Sequence, residues 1–474
     1  PSVKEERAEK FKSIDNEFIE SLPDDTDDST ITMVKRYLGK SKKEAVRNMM
    51  LDLKQRLDGR ALNEVRQIWT EVDYLPSVHG SALFTRGETQ SLTSVTLGSK
   101  LDQQMIDNYK EKSFNKFMLH YNFPSFSVGE ARPNRGPGRR EIGHGNLAER
   151  GLKRMIPDDF PYTLRIVSDI LESNGSSSMA TVCAGSMAMM DAGIQVKAGV
   201  SGIAMGMVAD NKGRYAILSD ILGDEDHLGD MDFKVVGNED GIYACQMDMK
   251  VDGLSYDVLE EALLQAKEGR MHILHEMEKT IANPNSGLKD HAPQIEMMTI
   301  PKDKIGAVIG SGGKVIQEIQ QETDATVTIE EDGDFGIVEI SGVGSGPIEA
   351  AKEWILGIIT DPEVGTEYVG KIKSVVDFGA FVEILPGKEG LLHISEISWE
   401  RLESMEDVFE EGEEVKVKLI EFDERNGKLR LSRKVLLEKP EGYVERPPRE
   451  RRDNNRNRGD RRGGRDNRGR NNRK

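Results

Sequence analysis

Residues 179–209 are the most apolar part of this chain and set what it can fold into. The stretch is rich in Ala, Gly and Met and is broken by Asp191 and Lys197. A bilayer-spanning helix needs about 20 consecutive apolar residues, and no run of 18 exists here. The segment therefore belongs inside a folded domain, and no membrane partner is expected. Its first part, 179–192, has the texture of a helix. Strand-like stretches at 81–98 and 214–223 and a helix-like one at 141–156 share its neighbourhood in the sequence. The amphipathic segment 254–281 follows, with Leu259, Leu263, Ala266, Ile273 and Met277 mostly on a three-to-four rhythm. Mixed strands and helices over 58–285 predict a single α+β domain.

The chain has 474 residues, enough for several domains. Residues 1–57 predict a small all-helical unit. Pro23 and the acids Asp24, Asp25, Asp27 and Asp28 separate two helices. In the second, Ala45 and Met49 (or Val46 and Met50) and Leu53 fall at helical spacing, and Ser41 with Glu44 matches a capping box. Residues 283–293 read as a linker. Residues 294–357 read as strand, glycine loop, helix, two strands and a helix. Residues 365–435 alternate as strands throughout. Residues 436–474 are dominated by Arg, Asn, Gly and Asp and predict disorder, for want of apolar surface to bury.

Charge follows the same division. The formal charge is −18, yet 446–474 hold 13 Lys/Arg against 4 Asp/Glu, leaving −27 on the rest. An acidic body with a basic tail suits a tether for nucleic acid. Cys183 and Cys245 are the only cysteines, with no CxxC pattern, which excludes a disulfide framework and a structural zinc and fits a reducing cytoplasm. The N-terminus lacks a signal pattern and begins with Pro1, as a fragment or a processed chain would.

Around Gly310 the sequence is GAVIGSGGKVIQEIQQET. A P-loop would need glycine where Val308 stands and Ser or Thr where Val315 stands. A dinucleotide fingerprint lacks its βαβ unit. What remains is a Gly-x-x-Gly loop, Gly310-Ser311-Gly312-Gly313, whose backbone can approach a sugar-phosphate chain, with Lys314 and a helix start adding positive potential. This resembles the KH domain, which clamps about four nucleotides of single strand. Ile305, Ile309, Val315 and Ile319 read as core. In 369–398, Phe378 and Phe381 flank Gly379-Ala380, His393 follows on the next strand, and Lys371, Lys373 and Lys428 add charge. Rings along a cationic groove stack bases. The unit is similar to an S1 domain, an OB barrel, and that likeness puts Phe378, Phe381, His393, Asp423 and Lys428 on the RNA face. Trp399 reads as packing.

Three segments of the α+β domain carry candidate chemistry. In LSDILGDEDHLGDMDFKVVG (218–237), period two places Asp230, Asp232 and Lys234 on one strand face and Met231, Phe233 and Val235 on the other. Acids beside one lysine suit magnesium with phosphate. In ESNGSSSMAT (172–181), three serines at a helix start offer hydroxyls and amides to an anion, or simply cap the helix. Arg139 and Arg140 suit bidentate phosphate contacts, and His144 is either a phosphate donor or a packed helix-start histidine.

Together with DGR at 58–60 and GSALFTRGETQ at 80–90, these segments resemble an RNase PH-type domain. Helical unit, RNase PH-type domain, KH and S1 in this order resemble the polynucleotide phosphorylase family over residues 30–435. The resemblance implies a magnesium site at Asp226 and Asp232 (manganese can substitute) with Lys234 beside it as the catalytic set. It also implies an inorganic phosphate site at Ser176, Ser177 and Ser178, and a grip on the RNA 3′ end by Arg139, Arg140 and His144. The implied activity is phosphorolytic 3′→5′ degradation of single-stranded RNA such as mRNA to nucleoside diphosphates, reversible as RNA synthesis. Family members assemble as homotrimers and work with RNA-degradation complexes. They carry an earlier RNase PH-like domain, which is expected to be missing here. The alternatives are an RNA-binding protein whose catalytic domain is silent in this shortened form, and a hydrolytic nuclease using the same acids.

Overall fold

The computed structural model describes residues 3–133, 136–400, 402, 405, 408–423 and 428–439; residues 440–474, where the composition predicts disorder, lie outside them. The chain divides into two compact units that meet between Ile359 and Thr360.

The first unit begins with helices Lys4–Glu20 and Asp28–Leu53. The Asp27 carboxylate accepts from Thr30 N at 2.9 Å and caps the second helix. That helix runs straight through Ser41, so no capping box forms at Ser41 and Glu44: the orphan amides are at Asp27, where the turn after Pro23 already starts the helix. Val46, Met50 and Leu51 are buried against Ala204, Val208 and Leu218, whereas Leu53 is exposed.

Two sheets follow. The first runs Ile68–Val72, Gly80–Arg86, Gln90–Gly98, Thr163–Glu172, Phe117–Asn122, and the second Ile242–Met249, Met231–Gly237, Ser201–Ala209, Tyr215–Ser219. Helix Ser177–Asp191 packs against strands of both, and every one of its residues is buried. Its small side chains permit this: a Cβ at Gly185 would meet Leu152 Cδ1 at 2.6 Å. The burial anchors the helix, and so fixes the serines at its start. Helix Tyr256–Glu278 packs on the second sheet through Ala262, Ala266, Ile273 and Met277. The segment 283–293 is strapped down rather than loose. Asn285 Nδ2 donates to Asp191 O at 2.8 Å, and Lys289 Nζ lies 2.6 Å from Asp73 and 3.2 Å from Asp191.

Residues 293–359 form a three-stranded antiparallel sheet, Pro293–Pro301, Phe335–Val343, Thr326–Asp332, covered by helices Lys302–Ile309, Lys314–Thr323 and Ser345–Ile359. Val308 and Ile319 are fully buried, while Ile305 and Val315 pack at the edge of this core. Ile295 N donates to Tyr162 Oη at 3.2 Å, and Lys100 pairs with Glu330, joining this layer to the first sheet's domain.

The second unit is a closed barrel, Glu367–Val376, Gly379–Leu385, Lys388–His393, Lys428–Ser432, Glu414–Asp423, around Ile372, Val382, Leu392, Val417 and Leu431. Among the described residues no helix is long and apolar enough to cross a membrane. Both cysteines are free.

Candidate functional site

A cleft of about 1280 Å³ opens in the first unit, lined by the start of helix Ser177–Asp191, the start of helix Arg139–Leu152, and the segment around Gly223–Leu228 with the strand after it. Gly175 has φ 95° and Ser176 has φ 47°, ψ 57°. A left-handed residue followed by helical ones turns successive amides to one side, a concavity that binds anions. Ser176 and Ser177 line the cleft; Ser178 lies one step deeper, fully buried and off its wall. Ser177 Oγ bonds Tyr121 Oη at 2.6 Å. The Oγ atoms of Ser176 and Ser178 are buried without a protein partner. An unpartnered buried hydroxyl costs about 1–3 kcal/mol, and a bound oxyanion in the cleft would relieve that cost at Ser176.

Asp226, Asp232 and Lys234 line the same cleft. Lys234 Nζ donates to Asp232 Oδ2 at 2.9 Å, and both side chains are largely buried. Asp232 stands opposite Gly206 and Lys234 opposite Ala204, so small neighbours leave space above them. Met231, Phe233 and Val235 face the core, as period two demands. Asp230 does not join the acids. It accepts from Arg47 Nη1 at 2.8 Å, Arg47 Nη2 at 2.7 Å and Ala209 N at 2.7 Å, because the guanidinium fork of the neighbouring helix satisfies both its oxygens.

Arg140 and His144, one turn apart, line the cleft, while Arg139 is exposed and does not, since adjacent helical residues diverge by about 100°. His144 Nδ1 lies 3.3 Å from Tyr121 Oη, with the rings edge to face at 5.3 Å. Burial, then Lys234 and Arg140, push the imidazole down to about 4, so it stands neutral at physiological pH. Tyr121, which links His144 to Ser177, was invisible to motif reading. It sits in HYNFPSFS (120–127), whose only signal is its density of rings.

Behind the cleft lies a buried ionic frame. Arg56 pairs with Glu225, and Asp220 pairs with Arg60, Arg66 and Arg86. Burial opposes ionisation of Asp220, but Arg66 and Arg86 overcome it and hold the carboxyl well below the usual range. DGR and TRGETQ thus contribute Arg60 and Arg86 to the frame. Among the described residues no group of three or more His, Cys, Asp or Glu is arranged for a metal. Magnesium asks for less, one or two carboxylates plus substrate oxygens, and Asp226 with Asp232 at an open cleft fits that donor set.

Two further surfaces carry the remaining candidates. Gly310, Gly312 and Gly313 have φ of 72°, 64° and 80°. A Cβ at Gly310 would meet Val315 at 2.4 Å, whereas Gly312 has open space around it. Ser311, Gly312 and Lys314 are exposed together at the start of helix Lys314–Thr323. On the barrel, Gly379 pairs with His393 and Phe381 with Leu391, so His393 and Phe381 share the outer face, with Phe378, half exposed, at the turn beside them. The parallel neighbour pairs Leu391 with Arg430, and period two puts exposed Lys428 on that face too. The Asp423 side chain lies outside the described ones. Trp399 Nε1 donates to Leu437 O at 3.1 Å, a packing role.

Family models match the chain in four places: "Polyribonucleotide nucleotidyltransferase, RNA binding domain" over 2–61, "3' exoribonuclease family, domain 1" over 64–195, "KH domain" over 294–357 and "S1 RNA binding domain" over 361–434. The chain is 63% identical over 442 residues to a polyribonucleotide nucleotidyltransferase of Cytophaga hutchinsonii, covering 92% of this chain and 61% of that one. To its namesake in Bacteroides fragilis it is 60% identical over 440 residues (92% and 62%), and to that of Porphyromonas gingivalis 59% over 464 (98% and 62%). The chain thus spans about three-fifths of the length of these relatives. With that identity, and with these four units in this order, the chain is similar to the polyribonucleotide nucleotidyltransferases over about three-fifths of their length.

Proposed function

We propose that this chain carries the chemistry and the RNA grip of a phosphate-dependent 3′→5′ exoribonuclease that releases nucleoside diphosphates from single-stranded RNA. The observation that carries the reading is one cleft holding both a serine-lined helix start with an unpartnered hydroxyl and an acid–lysine pair. Orthophosphate would rest on the amides and hydroxyls of Ser176 and Ser177, with Ser178 buttressing the turn. Arg140 presents its fork to the last phosphodiester, and neutral His144 offers one N–H without adding charge. Magnesium, or manganese in its place, would be held by Asp226 and Asp232 and would neutralise charge on the phosphoryl group under attack.

An oxygen of monohydrogen phosphate forms a bond to the terminal phosphorus, and the bond from that phosphorus to the preceding 3′ oxygen breaks. The proton given up by phosphate balances the one taken by the leaving 3′ oxygen. Bonds made and broken are alike, so excess diphosphate drives RNA synthesis. The protein's work is positioning and charge placement. Gly310, Ser311, Gly312, Gly313 and Lys314 would clamp the upstream backbone, and Phe378, Phe381, His393 and Lys428 would stack and pair with upstream nucleotides. A cytoplasmic role in mRNA turnover, a homotrimer and partners in an RNA-degradation complex belong to the same reading, which draws on the likeness to those relatives.

Incubating the full chain with poly(A) and magnesium, with and without phosphate, tests it. ADP formed only with phosphate is the expected result. AMP formed without phosphate overturns it in favour of hydrolysis, and binding without any product overturns it in favour of a silent catalytic domain.

A further inference from the structure

Three consecutive carbonyls of the serine turn are held by buried donors. Arg66 Nη1 donates to Asn174 O at 2.6 Å, and Arg86 Nη2 donates to Gly175 O at 3.0 Å and to Ser176 O at 3.1 Å. Thr89 Oγ1, which accepts from Asn174 N at 3.0 Å, adds a bond to Gly175 O at 3.2 Å. Arg86 is fully buried and is not part of the cleft wall. Its charge is met by Asp220, 2.6 Å away, which Arg66 shares at 2.7 Å. Asp220 is itself left-handed, at φ 49°, and stands where strand Tyr215–Ser219 gives way to the segment bearing Asp226. One carboxylate and two guanidiniums therefore touch both the serine turn and the root of the acid loop.

We infer that Arg86, held by Asp220, is a positioning residue for orthophosphate: by fixing the carbonyls of Gly175 and Ser176 it aims the amides of Ser176 and Ser177 at the cleft. This rests on the reading of the cleft as an orthophosphate site. The C=O of one residue and the N–H of the next lie in one rigid plane and point opposite ways. Anchoring a carbonyl on the buried side therefore turns its partner amide outward, toward the cleft that Ser176 and Ser177 line. The anchor also opposes relaxation of Ser176 out of its left-handed conformation, a strained one for a residue with a side chain. Lysine cannot replace it, since one ammonium lacks the fork that reaches a carboxylate and two carbonyls together.

The test is Arg86→Lys and Thr89→Val in the full chain, with binding of inorganic phosphate alone read by calorimetry, binding of RNA read separately, and the Michaelis constants for phosphate and RNA compared. Arg86→Lys is expected to weaken phosphate binding, and raise its Michaelis constant, by about tenfold or more, with RNA affinity within about twofold of the parent. Thr89→Val, which buries no unpaired charge, is expected to weaken phosphate by about threefold. If Arg86→Lys loses the parent's circular dichroism, Thr89→Val decides alone. Parental phosphate affinity in the folded variants overturns the inference, as does an equal loss of phosphate and RNA affinity, which marks a merely structural role. A parent chain that binds no phosphate refutes the orthophosphate site itself, a result distinct from a variant that still binds it.

Discussion

The cleft and the two surfaces proposed to contact RNA are made of opposite materials. In the frame and at the acid–lysine pair of the cleft, charge is out of water and already paired: Asp232 is 6% exposed, and Arg86 and Asp220 are 0% exposed. At the Gly-x-x-Gly loop and on the barrel face the groups are exposed or half-exposed, and a side chain added at Gly312 would meet open space. Buried ions are costly unless geometry and partners are complete, so a site built from them comes fixed by the fold. Exposed glycines and rings carry no such cost, and adapt to what they meet. Changes in the cleft should therefore act on rate, phosphate binding or stability, and changes on the contact surfaces on RNA affinity alone.

The sharpest way to break this contrast is Asp232→Asn. It removes the charge that faces Lys234 and serves the proposed magnesium, and it should lower turnover by about 10³-fold or more while RNA affinity stays near the parent value. Equal losses of rate and affinity in filter binding and single-turnover assays would make the cleft another grip. A smaller effect is expected at the loop. Gly312→Asp keeps the fold, because aspartate tolerates a left-handed backbone and the position is open, yet it sets a negative charge where phosphates should lie. RNA affinity should fall about tenfold at low salt and less at high salt, with saturated turnover unchanged. A drop in turnover at saturating RNA would show the loop to be coupled to the cleft.

The contact surfaces were the more legible in sequence. Three glycines at fixed offsets announce a left-handed loop, and two rings around a small dipeptide announce an exposed face, because local backbone needs dictate both. In the cleft, residue types were legible and directions were not. Period two put Asp232 and Lys234 on one face, but the same rule placed Asp230 with them, and only the guanidinium of Arg47, 183 residues away, shows why it points elsewhere. The serine run announced a helix start, but not that Ser178 turns inward or that Tyr121 bridges Ser177 to His144. The frame was read as motif alone. Nothing local in TRGETQ tells that its arginine reaches two carbonyls about 90 residues on.

His144 offers the finest test, since it stands in the cleft yet belongs to a residue type that often lies on surfaces. Burial first, then Lys234 and Arg140, lower its titration to about 4 from an ordinary value of 6.5. The unfolded chain takes up this proton as pH falls through about 6.5, and the folded chain only near 4. Between those values the unfolded state binds more protons, so folding stability falls as pH drops, and above that window the group has no effect. The loss should be on the order of 1–3 kcal/mol across the window. His144→Gln keeps a neutral donor and removes the titration, so its urea midpoint should fall less than the parent's between pH 6.5 and pH 4.5. Parallel falls in the two proteins, or a ring resonance that titrates near 6.5 by NMR, would place this imidazole with the solvated groups and move the boundary between frame and grip to the far side of Tyr121.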